Sequence, residues 1–289
     1  MAIPPEELKA RLAGQKWTAY NIRLTPEITT LPGTPDFMET HLHWLAIRRL
    51  LGALYGGRLE GLRVADLGCL EGGFSLALAQ MGAEVVGVEA RTANFEKCRL
   101  LQDHFRLPNL RFVQADVKEF DRPRFGSFDI VLALGILYHL EDPVGWLRQV
   151  AGATTAVLYV DTHFAPVDDS ALECLEPGLR SLGRLETHVQ GGLEYSGRWF
   201  HEYDTDSERD EMLWASYSNP DSFWLTKKSL IELLMRCGFD SVLEHHEHAV
   251  YWMERLATSF PRWLCVGLRS QAIADRRPPS RWRRWLRRR

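Results

Sequence analysis

A glycine turn and two carboxylates, Glu89 and Asp116, are the residues of this chain best spaced to act together. Asp66 closes the apolar segment LRVADL (62–67), and the turn after it, GCLEGG, carries Gly68, Gly72 and Gly73 into the run GFSLALAQM. Glu89 closes a second segment, AEVVGVEA, 21 residues after Gly68, and Asp116 closes a third, LRFVQAD, with Val117 next. A glycine turn between a strand and a helix lets backbone approach a ligand closely and aims free N–H groups at it. A carboxylate at the position of Glu89 can accept from both hydroxyls of a ribose. An acid at Asp116 can accept from an adenine amino group while the N–H beyond it meets the ring. The chemistry this spacing suggests is the holding of an adenine nucleoside. A nicotinamide dinucleotide would want G-x-G-x-x-G, and Leu70 stands where the second glycine should be.

Those residues need a frame, and the chain supplies one. LRVADL, AEVVGVEA, LRFVQAD, FDIVLAL (128–134) and TAVLYVD (155–161) read as short buried strands. They alternate with helical patterns at GFSLALAQM, 92–106 and DPVGWLRQVAG. Apolar strands alternating with amphipathic helices specify a parallel sheet covered on both faces. An earlier helix is expected from Asp36 to about Tyr55, where apolar residues fall at helical spacing until Gly56-Gly57. After Asp161 the rhythm breaks, and it resumes with a helix at 226–237, between Thr226 and Gly238, and strands near 240–246 and 262–268. The predicted fold class is therefore α/β, doubly wound, with a mostly parallel seven-stranded sheet and an insertion after the fifth strand. Residues 1–35 read as an N-terminal cap segment, 36–270 as the main domain with its insert at about 163–224, and 271–289 as a basic Arg/Trp tail.

Composition bounds the function. Of 289 residues, 45% are hydrophobic and 11% aromatic, enough to fill a proper core. The start, MAIPPEELKA, lacks the basic and apolar regions of a secretory signal, and no apolar stretch approaches the ~20 residues of a membrane span. Cys69, Cys98, Cys174, Cys237 and Cys265 are odd in number and never spaced CxxC, which fits a reducing cytoplasm better than a disulfide or zinc framework. The last fourteen residues, RRPPSRWRRWLRRR, hold eight arginines and no acid; removing those charges from the overall −3 leaves −11 on the body. An acidic body argues against a large anionic substrate, whereas a tail of arginine and tryptophan suits nucleic acid, anionic membrane or plain solvation.

The motifs Asp66–Gly73, Glu89, QADV (114–117) and FDIVLALGILYHL (128–140) together resemble the class I S-adenosylmethionine-dependent methyltransferases, over about residues 40–270. The stretch from Tyr20-Asn21-Ile22 to DTHF (161–164) is similar to a bacterial subgroup of unassigned substrate, and LYHLEDP is similar to tRNA-wobble-uridine modifying members. The resemblance implies the Rossmann-like methyltransferase fold and S-adenosyl-L-methionine as cofactor. It would place Asp66 and Gly68, with Cys69 and Leu70, by the methionine moiety. Glu89 and Ala90 would lie by the ribose, Asp116 and Val117 by the adenine, and Leu134 along the cofactor's backbone. Leu70 departs from the family's usual glycine.

Methyl transfer is an in-line displacement in which orientation supplies much of the acceleration, and a hydroxyl acceptor also needs a base. His139, just past the fourth strand, and Asp161 and His163, two apart after the fifth, are the catalytic candidates. His201, Glu202 and Tyr203 in the insert are secondary ones. Oxygen and nitrogen ligands from Asp161, His163 and Glu202 would suit a divalent cation, but nothing fixes their geometry and no metal is expected. His245, His246 and His248 read as surface. Trp214, Phe223 and Trp224 read equally as walls of an acceptor pocket or as core beneath the insert. The expected function is methylation of a hydroxyl, or less readily an amine, on a small molecule such as a sugar or secondary metabolite. The alternatives are an RNA-modifying methyltransferase using the tail, a non-catalytic adenosyl-ligand binding protein, and, least favoured, a nicotinamide oxidoreductase. The sequence leaves oligomeric state open.

Overall fold

The computed structural model describes residues 3–174, 182–245 and 262–276. His246, His248 and the tail beyond Arg276 lie outside the described residues. In chain order the elements are α1 (Pro5–Ala13), α2 (Leu42–Tyr55), β1 (Arg63–Leu67), α3 (Gly73–Gln80), β2 (Glu84–Glu89), α4 (Thr92–Phe105), β3 (Leu110–Gln114), α5 (Arg122–Phe125), β4 (Phe128–Leu134), α6 (Pro143–Ala153) and β5 (Thr154–His163). There follow β6 (Glu186–Gln190), β7 (Leu193–His201), α7 (Asp206–Glu211), β8 (Asp221–Leu225), α8 (Lys227–Arg236), β9 (Ser241–Glu244), β10 (Arg262–Leu268) and α9 (Ser270–Arg276).

Seven strands form one sheet in the order β3-β2-β1-β4-β5-β10-β9. Its neighbours are parallel except at β10, which runs antiparallel to both β5 and β9. Both faces are apolar, and the period of two explains how. Val64, Ile130, Val157 and Tyr159 pack on one side with Ile47, Leu51 and Leu78 from α2 and α3. Leu67, Val131, Leu158 and Val160 pack on the other with Leu147 and Leu233 from α6 and α8. A strand buried on both faces reads as a continuous apolar run, and each fully buried Leu or Val contributes roughly 1.5–3 kcal/mol.

Helix ends follow local chemistry. Thr226 accepts from the Ser229 N–H at 3.2 Å to start α8, and Asp142 accepts from the Gly145 N–H at 2.9 Å to start α6 behind Pro143. Gly56, at φ 79°, closes α2. The helix expected from Asp36 begins only at Leu42, because Met38–Thr40 form a separate 3₁₀ turn.

The stretch after β5, where no period was legible, is a three-stranded antiparallel sheet, β6-β7-β8. Its hairpin turns at Gly191-Gly192, with φ of 56° and 75°, a pair that only glycine adopts cheaply. Leu193, Phe223 and Leu225 seat it on the main core. The fifth strand runs two residues past Asp161, since β10 pairs with it up to Arg262 opposite His163. Among the described residues no helix is long and apolar enough to cross a membrane.

Candidate functional site

The carboxyl ends of β1, β2, β4 and β5, with the loop after β3, open onto one cavity of about 320 Å³, at the point where the strand order reverses between β1 and β4. Asp66, Gly68, Cys69, Leu70, Glu89, Ala90, Asp116, Val117 and Leu134 all line it. His139 and Asp161 line its other end.

The acids on the floor are held differently. Asp66 is buried and accepts from the Ser75 hydroxyl at 2.6 Å. Burial pushes its pKa up to about 6, with Ser75 pulling the other way. Glu89 accepts from the Leu70 N–H at 3.0 Å and the Arg91 N–H at 2.8 Å, one on each oxygen. Burial raises its pKa to about 7 in spite of those donors. Asp116 caps the following turn through the Lys118 N–H, 2.9 Å away, and accepts from the Ser218 hydroxyl at 3.2 Å.

The glycine loop shows why its residues differ. Gly68 sits at φ 66°, and a Cβ there would drive into the Ile136 side chain. Leu70 sits at φ 53°, the left-handed region where a non-glycine residue costs roughly 1–2 kcal/mol. Leucine thus carries the backbone shape that a glycine would, with its N–H fixed on Glu89. The departure from the expected glycine changes the residue and keeps the turn.

The opposite end separates the three catalytic candidates. His139 presents Nδ1 to both oxygens of Glu202, at 2.8 and 2.9 Å, and Glu202 also accepts from the Ser216 N–H at 3.0 Å. Asp161, fully buried, is gripped by the Arg262 guanidinium with Nε 3.0 and 3.1 Å from its two oxygens, and the His43 Nε2 lies 3.6 Å away. Burial works against the charge on Arg262, but Asp161 and Tyr138 beside it outweigh that and hold the guanidinium protonated. Burial keeps Tyr138 a neutral phenol. His163 lies outside the cavity lining: its ring stacks on Trp224 at 4.7 Å and 11°, with the Tyr138 ring edge-on at 4.3 Å. The two-residue spacing does put Asp161 and His163 on one side of β5, but Tyr138 and Trp224 enclose the histidine.

Asp161, His163 and Glu202 therefore each have a different neighbour, and among the described residues no group of three potential ligands gathers to hold a metal. His201 is solvent-facing, between Asp221 at 2.7 Å and Asp204 at 3.1 Å. Trp214 lines the cavity, whereas Phe223 and Trp224 are core. Asp161→Asn should strip the buried guanidinium of its carboxylate and destabilise the fold by about 3–5 kcal/mol, read as a shift of the urea midpoint. A midpoint within the range of an ordinary surface variant would show the pair to be unimportant.

Several lining residues carried no signal in the sequence: His43, Arg91, Ser216 and Arg262. Arg91 is buried and donates to the Ala215 and Ser216 carbonyls at 3.1 and 2.9 Å, drawing the loop at 213–219 over the ends of β2 and β3. Arg262 reaches the site by the register of β10 on β5, which no local pattern announces.

Residues 65–155 match the model of a family described as a methyltransferase domain. The chain is similar to tRNA U34 carboxymethyltransferase of Campylobacter hominis, 31% identical over 42% of this chain and 42% of that protein. It is also similar to a ubiquinone biosynthesis O-methyltransferase of Acinetobacter baylyi, 29% identical over 32% of this chain and 40% of that protein. The chain thus spans well under half the length of these curated relatives. The N-terminal domain of EvdMO1, solved in the presence of S-adenosylhomocysteine and D-fucose, shares the fold, with a TM-score of 0.65 and 22% identity over 92% of this chain and 97% of that one. An S-adenosylmethionine-dependent methyltransferase from Mesorhizobium loti shares it at a TM-score of 0.52 and 18% identity, covering 80% and 100%.

Proposed function

We propose that this chain, whose residues 65–155 match a methyltransferase domain, is a class I S-adenosylmethionine-dependent methyltransferase that methylates a hydroxyl, or less readily an amine, on a small molecule such as a sugar or secondary metabolite. The observation that carries the reading is Glu89: a buried carboxylate on the cavity floor, anchored by two backbone N–H groups and flanked by Asp66 on β1 and by Asp116 just past β3. A ribose diol fits that carboxylate, and the Gly68 turn, packed tight against Ile136, admits no side chain. S-adenosylmethionine, when bound, supplies an electrophilic methyl group on a sulfonium.

The chain's own part is then to bind, orient and deprotonate. Glu89 would hold the ribose, Asp116 and the Val117 N–H the adenine, and Asp66 and the loop Gly68–Leu70 the amino-acid end. The acceptor would lie toward Tyr20, His43 and Tyr138, which line the same cavity. His139, fixed by Glu202 with its proton on Nδ1, would take the acceptor's proton at Nε2. The Asp161–Arg262 pair would orient the acceptor, and His163 would act only through packing on Tyr138. A cytoplasmic setting belongs to this reading, supported by the scattered cysteines.

The test is titration of the purified chain with S-adenosylhomocysteine, followed by incubation of a cell extract with the methyl-labelled cofactor. Saturable micromolar binding and label in the small-molecule fraction support the reading. Label in RNA would replace the acceptor class, and absence of binding by the folded chain would remove the reading.

Affinity should also depend on pH. Because burial raises the Glu89 pKa to about 7 and the ribose wants the carboxylate, binding of S-adenosylhomocysteine should weaken by up to about tenfold per unit below pH 7. In Glu89→Gln that slope should flatten. The ligand-free fold should run the same linkage with opposite consequence. Its Glu89 keeps a proton that the unfolded chain, near the ordinary 4.5, has lost, so between about pH 4.5 and 7 this group's contribution to stability falls as pH rises. Calorimetry at pH 5, 6, 7 and 8 checks the first, and melting at pH 5, 6 and 7 the second.

A further inference from the structure

We propose that the buried network Glu71–Lys97–Asn94 is a positioning device that holds two separate cover segments over the cofactor cavity and couples their closure to cofactor binding. The inference rests on the reading that this cavity binds S-adenosylmethionine. Glu71 lies in the glycine loop, between Leu70, whose N–H is fixed on Glu89, and Gly72. It lines the cavity and is 2% exposed; Lys97, on α4, is 1% exposed and Asn94 fully buried. Lys97 Nζ donates to Glu71 at 2.9 Å and to the Asn94 side-chain oxygen at 3.2 Å.

From this core the network reaches in two directions. Toward the N-terminus, Glu71 accepts from the Thr18 N–H at 2.6 Å, the Thr18 hydroxyl at 3.2 Å and the Ala19 N–H at 3.1 Å. Those bonds set the chain so that Ala19, Tyr20 and Ile22 line the cavity, with the Tyr20 ring edge-on to Phe74 at 5.3 Å and Trp17 beside the Lys97 ammonium at 5.8 Å. Toward the insert, the Asn94 amide donates to the Leu213 carbonyl at 3.0 Å, where the loop begins that carries Trp214, Ser216 and Ser218 along the opposite wall. The Asn94 side chain also lies against Glu89.

Packing alone could have fixed these segments more cheaply. Taking an ammonium and a carboxylate out of water is expensive, and apolar replacements of such pairs are often neutral or stabilising. What an ion pair adds is direction: one carboxylate can hold three donors from a distant segment while its own backbone belongs to the cofactor loop. Two walls that are 191 positions apart in sequence at their nearest, Thr18–Ile22 and Leu213–Asn219, thereby hang on one network that touches the ligand-binding carboxylate. A ligand that orders the loop through Glu89 would order both covers with it, and the covers would in turn slow its escape.

Amide hydrogen exchange of the full chain, with and without saturating S-adenosylhomocysteine, tests this. In the parent, the ligand should slow exchange in both 17–22 and 213–219 by at least tenfold. In Glu71→Gln both segments should exchange fast whether or not ligand is present, and the dissociation constant should rise about tenfold or more. Thr18→Val, which leaves the buried ion pair intact, should raise it two- to fivefold and carries the test if Glu71→Gln does not fold. Faster exchange at 17–22 with an unchanged dissociation constant would overturn the proposal, leaving a merely structural bond. So would loosening of one segment without the other in Glu71→Gln. A parent that binds no S-adenosylhomocysteine would remove the cofactor reading and this inference together, an outcome distinct from binding without protection.

Discussion

Glu89→Ala should weaken binding of S-adenosylhomocysteine by at least about 100-fold while leaving the fold intact. Two hydrogen bonds from a ribose to an ionised carboxylate are worth about 1.5–3 kcal/mol each, and each 1.4 kcal/mol is a factor of ten. The loss has a second source: the Leu70 and Arg91 N–H groups, 3.0 and 2.8 Å from the carboxylate, would be left without their acceptor. The loop that shapes the cavity would loosen. Glu89→Gln separates the two contributions, since an amide keeps one acceptor oxygen and nearly the same volume; its affinity should fall between parent and alanine variant. Circular dichroism and a thermal melt control for folding. An alanine variant that binds within threefold of the parent would show that Glu89 does not hold the ligand.

His139→Ala should reduce methyl transfer to an acceptor found by extract screening by about 10²–10⁴-fold, the usual contribution of a positioned base. Binding of S-adenosylhomocysteine should stay within about threefold. The reason lies in the pair it forms: Glu202 receives the imidazole at Nδ1, so the ring's orientation and tautomer are fixed and Nε2 is the nitrogen left to take a proton. Glu202→Gln should lose a smaller part of the rate, because the ring remains but the carboxylate that orients it through Nδ1 is gone. Turnover that survives His139→Ala within tenfold would make the histidine a packing residue, and Asp161, buried against Arg262, would need re-examination as the orienting group. Loss of ligand binding in His139→Ala would instead assign the residue to the cofactor's side of the cavity.

Much of this molecule is written locally. Apolar strands alternating with capped helices dictate a sheet covered on both faces, and the hydrophobic effect makes that outcome insensitive to detail. Acids and glycines at strand ends then converge on one cavity by topology, which is why Glu89 and Asp116 could be named from their places in the chain; Asp66 and Leu134 came from the family resemblance, and all four line it. The small sheet of the insert was harder, because its strands mix polar, aromatic and glycine residues with only one side against the core. The Gly191-Gly192 pair turns its hairpin.

The tertiary structure alone decided which reactive groups face the cavity and which are already held. His163 and Asp161 are equivalent by spacing, yet one is enclosed by Trp224 and Tyr138 and the other is gripped by Arg262, a residue 101 positions away. Glu202 was one of three secondary candidates in the insert until the fold set it on His139, 63 positions earlier. Period and caps act over a few residues, so a sequence determines strands, helices and the end of the sheet where ligands sit. Ion pairs and ring stacks form between side chains that only the packed sheet brings within 3 to 5 Å of one another, and they depend on register and loop path that no local pattern contains.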